Sequence, residues 1–137
     1  MKRTIIFITA VILAVSGCGN KTHKADGPEA TVVAFYEAVT AGDWEKAGSL
    51  CDTLLMREYL NRQLEARTAL MKEDSSAYAI AVELLLEAEV NIKAVEKIEG
   101  GREILYSITA GGHEKERKAS VMKKEGKWKV AEITDVN

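Results

Sequence analysis

The sequence has few of the side chains that build metal centres and catalytic sites. It contains two cysteines, Cys18 and Cys51, and two histidines, His23 and His113. No histidines, cysteines and carboxylates have the spacing of a metal site, and no serine and histidine form the pattern of a catalytic triad. The sequence therefore predicts no metal ion and no cofactor, and it favours a protein that is not an enzyme.

The chain also has few prolines and few aromatic residues, and neither charge is in large excess. The chain of 137 residues has one proline, 6% aromatic residues and a formal net charge of −2. A single proline and an ordinary apolar fraction argue against a disordered or repetitive chain, and the length allows about one domain. The slightly acidic balance gives the domain no overall positive field that would hold nucleic acid, so nucleic-acid binding is disfavoured.

The N-terminal apolar run is too short to cross a membrane. Residues 5–15 follow Lys2 and Arg3 and contain one polar residue, Thr9. As a helix, these roughly 11 residues would extend about 16 Å, about half the thickness of a hydrocarbon core. A basic start followed by a short apolar run is typical of a signal peptide.

The end of this run resembles the lipobox of bacterial lipoproteins. Val15-Ser16-Gly17-Cys18 has an aliphatic residue, two small residues and then a cysteine. The resemblance implies that residues 1–17 are a signal peptide, that cleavage falls between Gly17 and Cys18, and that palmitate-type acyl chains on Cys18 hold the protein to a membrane of the cell envelope. An ordinary secretory signal with a chance cysteine is the alternative. Gly19 does not resemble the aspartate of inner-membrane lipoproteins, which favours the outer membrane if the host has two.

The residues after the cysteine are polar and have no apolar period. Residues 18–27 are predicted to be the lipidated cysteine and a flexible tether, which reaches about 30 Å when fully extended. His23 lies in this tether with no partner nearby in the sequence, so a metal-binding role is disfavoured. Residues 28–137 are then predicted to form a single domain close to the lipid surface.

The first half of this domain has the apolar periodicity of helices. A first helix begins near Pro28 and ends at Ala41-Gly42. Asp43 can cap a short second helix, and a third, amphipathic helix is predicted for residues 53–72. Residues 77–89 favour a fourth helix, although a short buried strand is the alternative.

The second half of the domain changes to short strands separated by glycine turns. The strands are predicted at residues 90–98, 102–109, 115–124 and 127–134. The turns between them are Gly100-Gly101, Gly111-Gly112 and Glu125-Gly126, and each can reverse the chain and join neighbouring strands as a hairpin. Helices that need to bury an apolar face, followed by an antiparallel meander, predict an α+β domain with N-terminal helices packed on a curved four-stranded sheet.

The two ends of the domain resemble nuclear transport factor 2-like domains, and the chain is similar to small bacterial lipoproteins that carry such a domain. The resemblance covers about residues 28–136 and implies a cone, in which a curved sheet wraps around the helices and often leaves a cavity at its open end. It implies that Trp128 packs into the core. The matching residues are Pro28-Glu29, Val32, Phe35-Tyr36, Ala38, Gly42-Asp43-Trp44-Glu45-Lys46-Ala47 and Lys127-Trp128-Lys129-Val130.

The resemblance raises three hypotheses about function. The preferred one is a non-catalytic module that binds a small ligand, a peptide or an envelope protein, with Tyr36, Tyr59, Tyr106 and Trp128 as candidate cavity-lining residues or as plain core. The second is an isomerase or hydratase, because some relatives use a tuned carboxylate base in the cone. The sequence offers no acid for Tyr36 to work with, since Asp43 is better used as a helix cap. The third is a structural protein that dimerises through its sheet face.

Two further features have alternative interpretations. Cys51 is interpreted as a small buried apolar residue on a helix, and a thiol that pairs between molecules or acts as a nucleophile is the alternative. The basic residues of the last two strands are interpreted as the solvated outer face of the sheet, where lysine also prevents edge pairing. The alternative is a patch for anionic lipid head groups, glycans or an acidic partner. These basic residues are Lys115, Arg117, Lys118, Lys123, Lys124, Lys127 and Lys129.

Overall fold

The computed structural model describes residues 27–136. The predicted signal peptide, the lipid site at Gly17-Cys18 and His23 lie outside these residues. Within them the chain forms four helices and then four strands, which confirms the predicted α+β class and the order of its elements. The elements are α1 (Pro28–Ala41), α2 (Trp44–Ser49), α3 (Arg57–Glu73), α4 (Ser75–Leu86), β1 (Glu89–Ile98), β2 (Gly101–Ala110), β3 (His113–Lys124) and β4 (Lys127–Asp135).

The first two helices begin and end where local chemistry predicts. Pro28 occupies the first turn of α1, where a missing N–H costs no hydrogen bond. Gly42 ends α1 with a φ of 80°, a left-handed conformation that favours glycine, and its N–H donates to Ala38 O and Val39 O. The Asp43 carboxylate then accepts a hydrogen bond from Lys46 N and caps α2.

The third helix begins later than the sequence predicts, at Arg57 rather than near residue 53. The Asp52 carboxylate accepts hydrogen bonds from Leu54 N and Leu55 N and holds the preceding residues in a turn. Residues 77–89 are helical over most of their length, as favoured, because Asp74 caps α4 through the N–H groups of Ser76 and Ala77. Local carboxylate hydrogen bonds therefore set both boundaries.

The four strands form one antiparallel sheet in the order β1-β2-β3-β4. The turns Gly111-Gly112 and Glu125-Gly126 have positive φ at both positions, which matches the twist of the strands that they join. Each outer strand pair carries a register irregularity, between Ile92 and Ala94 and between Ser120 and Val121. Such bulges bend a strand and increase its local twist.

The core lies on one face of the sheet. Ile104, Tyr106 and Ile108 alternate along β2, and all three are buried against the helices. A first cluster joins this row to α1 through Val32, and a second cluster surrounds Phe35 at the far side. The edge of β4 is extended by the segment at residue 51, because Cys51 forms a parallel bridge with Val130.

The third and fourth helices belong to this core only at its margin. Neither α3 nor α4 has a buried residue, whereas α1 has several. Ile80 is 67% exposed and Leu64 is 45% exposed. None of the helices formed by residues 27–136 combines the length and the apolar character that crossing a membrane requires.

Candidate ligand-binding cavity

A cavity of about 350 Å³ separates the helices α1, α3 and α4 from the sheet. Its volume falls within the range of small-molecule sites, roughly 300–1,000 Å³. Its lining residues are Phe35, Tyr36, Val39, Thr40, Tyr59, Gln63, Arg67, Leu84, Leu85, Tyr106, Ile108, Ala110, His113, Lys115, Arg117 and Ile133.

The floor of the cavity is apolar and aromatic. Phe35 and Val39 face it from α1, one helical turn apart, and Ile108 and Ile133 face it from the sheet. The rings of Phe35 and Tyr59 lie 6.1 Å apart at an angle of 39°, within the range of favourable aromatic pairs. A ligand in this space would place apolar atoms against the floor.

Three of the four candidate cavity residues meet here. Tyr36, Tyr59 and Tyr106 come from α1, α3 and β2 and all line the cavity. The Tyr36 hydroxyl donates a hydrogen bond to Leu85 O over 3.0 Å. Burial raises the pKa of Tyr59 and of Tyr106, so both phenols stay protonated at neutral pH. They can offer hydrogen bonds to a ligand but are poorly suited to act as bases.

The fourth candidate, Trp128, lies elsewhere. It is partly buried and packs against the margin of the first core cluster. The Arg102 guanidinium and the Lys123 ammonium lie 5.5 and 5.2 Å from its ring centroid, both within cation–π range. Trp128 therefore holds two strand cations rather than lining the cavity.

The sequence analysis missed the basic side of the cavity. It is formed by three residues of β3, which are His113, Lys115 and Arg117. Lys115 is opposite Ile108 and Arg117 is opposite Tyr106, so both share the helix-facing side of the sheet. The sequence alone indicates this orientation. Residues 115 and 117 stand at every second position before the apolar Ala119 and Val121, and alternate residues of a strand share one face.

The remaining strand cations correct the expectation of one solvated outer face. Lys118 does lie exposed on that face, opposite Leu105. Lys124 instead pairs with the carboxylate of Asp52, and Lys129 Nζ donates to Ser49 O over 2.7 Å. These two lysines attach β4 and its neighbour to the segment before α3.

Arg67 braces the helical wall of the cavity. Its guanidinium donates to Val39 O over 3.1 Å and to the Tyr78 hydroxyl over 2.7 Å. It also lies within 5.6 Å of the Trp44 ring centroid and 5.4 Å of the Tyr78 centroid. One side chain of α3 thus contacts α1, α2 and α4, and its charge is already used within the fold.

Arg117 and Lys115 share one carboxylate, that of Asp135 at the end of β4. Arg117 Nε lies 3.1 Å from Asp135 Oδ1, and Lys115 Nζ lies 3.7 Å from Oδ2. The side chain of Arg117 is 23% exposed, whereas that of Asp135 is 56% exposed. Arg117 is therefore the more buried of the two cations, whereas Lys115, at 50% exposed, and Asp135 both lie at the solvent end of the cavity.

None of the residues that line the cavity is an aspartate or a glutamate. Asp43 caps α2, and the hydrogen bond from Lys124, followed by those from the backbone, lowers the pKa of Asp52. Residues 27–136 hold no group of three or more histidine, cysteine, aspartate or glutamate side chains that could bind a metal ion. The geometry therefore suits the recognition of an anion better than proton abstraction.

Cys51 lies in the second core cluster. Its side chain is 3% exposed, and it follows α2 in an extended segment rather than lying on a helix. Burial raises the pKa of its thiol to about 11, and the neighbouring Asp52 charge adds to the shift. A protonated, covered thiol is a poor nucleophile, which favours the packing interpretation.

Large exposed apolar side chains concentrate on the helices rather than on the sheet. Four such residues are each at least 45% exposed, namely Leu64 and Met71 of α3 and Ile80 and Leu84 of α4. On the described strands, Val95 is the one large apolar residue that is exposed. Dimerisation through the sheet face therefore gains no support from the surface of residues 27–136.

No family model, curated protein or solved structure matches the chain.

Proposed function

We propose that this protein is a lipid-anchored envelope lipoprotein whose nuclear transport factor 2-like domain binds a small ligand without chemical change. The cavity of about 350 Å³ carries the binding part of the proposal. It combines an apolar floor, phenolic hydroxyl groups and several cations, and a largely apolar site with a few polar groups is what small ligands require. The isomerase hypothesis draws on relatives that use a carboxylate base, and the lining contains no acidic residue.

The anchoring part rests on Val15-Ser16-Gly17-Cys18. Two or more acyl chains hold a protein firmly, and the tether after Cys18 would keep the cavity within reach of the membrane surface. Mass spectrometry of the protein purified from a bacterial host tests this part. We expect a mature chain that begins with an acylated Cys18, and a Cys18→Ala variant that keeps its signal peptide. A chain beginning at Met1 in the unmodified protein contradicts the anchor.

The binding part is tested by filling the cavity. Ala110 lines it from the end of β2, so Ala110→Trp should occupy its space. Thr109→Trp is the matched control, because its neighbouring position faces the other side of the sheet. A panel of small organic acids, amines and neutral compounds is screened for a rise in the melting temperature, since any ligand that prefers the folded state must raise it.

We expect at least one compound to stabilise the unmodified protein and the Thr109→Trp variant but not the Ala110→Trp variant. Loss of the effect in both variants, or in neither, contradicts binding in this cavity. A solved structure in which the sheet does not wrap the helices would contradict the cone.

A further inference from the structure

The cations of the cavity are distributed unevenly. Arg67 is fully engaged by a carbonyl, a hydroxyl group and two aromatic rings within the helical wall. Lys115 and Arg117 lie together on the opposite wall and have Asp135 as their shared acidic partner. Two cations with one carboxylate leave a net positive charge on the β3 side of a cavity that has no acidic lining residue.

The Asp135 carboxylate is suited to be exchanged. It contacts Arg117 through Nε alone at 3.1 Å, whereas a guanidinium can hold a carboxylate through two parallel hydrogen bonds. Asp135 is the last residue of β4 and its side chain is 56% exposed. Only the Asp135 end of this pair is well exposed, and an incoming carboxylate that replaces Asp135 would leave the less exposed Arg117 with an acidic partner.

The apolar part of the cavity determines the polarity and the size of the rest of the ligand. Phe35, Val39, Ile108 and Ile133 offer no hydrogen bonds, so the atoms packed against them should be apolar. A volume of 350 Å³ corresponds to roughly a dozen water molecules at about 30 Å³ each. A body of about eight to twelve carbon atoms is therefore expected, rather than a full-length lipid chain.

We propose that the ligand is a medium-sized carboxylic acid with one negative charge, whose carboxylate binds Arg117 and Lys115 in place of Asp135 and whose apolar body occupies the floor. This inference rests on the proposed function, because it names the chemistry of the ligand in the same cavity. Tyr106 stands opposite Arg117 in the strand register and lines the same cavity, so its protonated phenol is the nearest candidate for a further hydrogen bond to the ligand.

Three probes of equal length separate the head group from the body. Decanoate, decan-1-ol and decylamine share a ten-carbon chain and carry a negative, a neutral and a positive head group. Their affinities for the full mature protein are measured by isothermal titration calorimetry below micellar concentrations. A charge-assisted hydrogen bond supports an expected preference for decanoate over decan-1-ol of about tenfold or more. Decylamine should bind more weakly than either.

Variants then test the side chains. Arg117→Gln should weaken decanoate binding about tenfold and leave decan-1-ol unchanged. Asp135→Asn should strengthen decanoate binding by roughly threefold, because it removes the weak competitor at the exposed pair. Lys118→Gln is the matched control, since it removes a cation from the same strand but from the outer face. Circular dichroism of each variant establishes that it is folded.

Each outcome separates the two proposals. Equal binding of decanoate and decan-1-ol, both abolished by Ala110→Trp, overturns the carboxylate and keeps the cavity as a binding site. Binding of no probe overturns the ligand class alone, whereas the proposed function is overturned when no compound of the wider panel stabilises the protein in a way that Ala110→Trp abolishes. An Arg117→Gln variant that is folded and binds decanoate normally, or a Lys118→Gln variant that loses it, overturns the assignment of the head-group site.

Discussion

Helix α1 and the pair formed by α3 and α4 are attached to the rest of the domain in different ways. The first helix, α1, buries Val32 and Phe35 against the sheet, with each side chain 1% exposed. The pair formed by α3 and α4 has no fully buried residue and attaches through the partly buried Tyr59 and Leu60 and through hydrogen bonds such as that from Arg67 to Val39 O. The cavity lies between the two. Elements with few buried apolar contacts open at low free energy, so this helical wall is the part through which a ligand could enter.

The largest expected effect compares a buried and an exposed apolar residue. Phe35→Ala removes a ring from the second core cluster and should lower the free energy of unfolding by about 3–5 kcal/mol. Ile80→Ala, at a side chain that is 67% exposed on α4, should change it by about 0.5 kcal/mol or less. Urea denaturation followed by circular dichroism measures both. A large cost at Ile80 would show that another surface covers α4.

A second comparison uses two glycines. A Cβ at Gly101 would overlap Val121 O, which is backbone of the neighbouring strand, so Gly101→Ala should cost about 1–3 kcal/mol or more. A Cβ at Gly48 in α2 would meet Thr53 Cγ2 at 3.8 Å, an ordinary contact. Gly48→Ala should therefore raise the free energy of unfolding by up to about 1 kcal/mol. The same denaturation experiment would contradict the packing if the two substitutions had equal effects.

A third prediction weakens the attachment of the α3–α4 pair. Arg67→Met keeps an unbranched apolar stem but removes the hydrogen bonds to Val39 O and the Tyr78 hydroxyl, at a cost of about 1–3 kcal/mol. Hydrogen exchange should accelerate in α3 and α4 and remain unchanged in β2. Arg67→Lys keeps the charge but loses the planar group, so it should give an intermediate result. Uniform acceleration throughout the domain would mean that the helices are not a separate unit.

The smallest expected effect is the pH dependence of the stability that the buried Cys51 thiol contributes. Because burial raises the pKa of Cys51 from 9.0 to about 11, folding favours the protonated thiol. Its contribution to stability is fully present below pH 9.0 and is lost as the pH rises towards about 11. The difference between the unmodified protein and Cys51→Ala should therefore shrink across this interval. Iodoacetamide at pH 8 should alkylate Cys51 slowly in buffer and rapidly in urea; equal rates would mean that the thiol is exposed.

Much of the fold follows from local signals, but the cavity does not. Gly42 and Asp43 mark the junction of α1 and α2, and the strand boundaries follow the glycine turns to within about two residues. The start of α3 was missed because the Asp52 carboxylate competes for the N–H groups of the first predicted turn. The resemblance and residue type predict four cavity-lining residues. Three of them, Tyr36, Tyr59 and Tyr106, line the cavity, whereas Trp128 lies elsewhere.

The sequence by itself determined the helix ends, the hairpin turns and the alternation along β2, because these depend on residues within a few positions of one another. Only the tertiary structure decided that Asp135 approaches Lys115 and Arg117 from another strand and that Arg67 ties α3 to three other helices. Those contacts join residues that are distant along the chain. Their geometry depends on strand register and on how helices pack over the sheet, which no local pattern encodes.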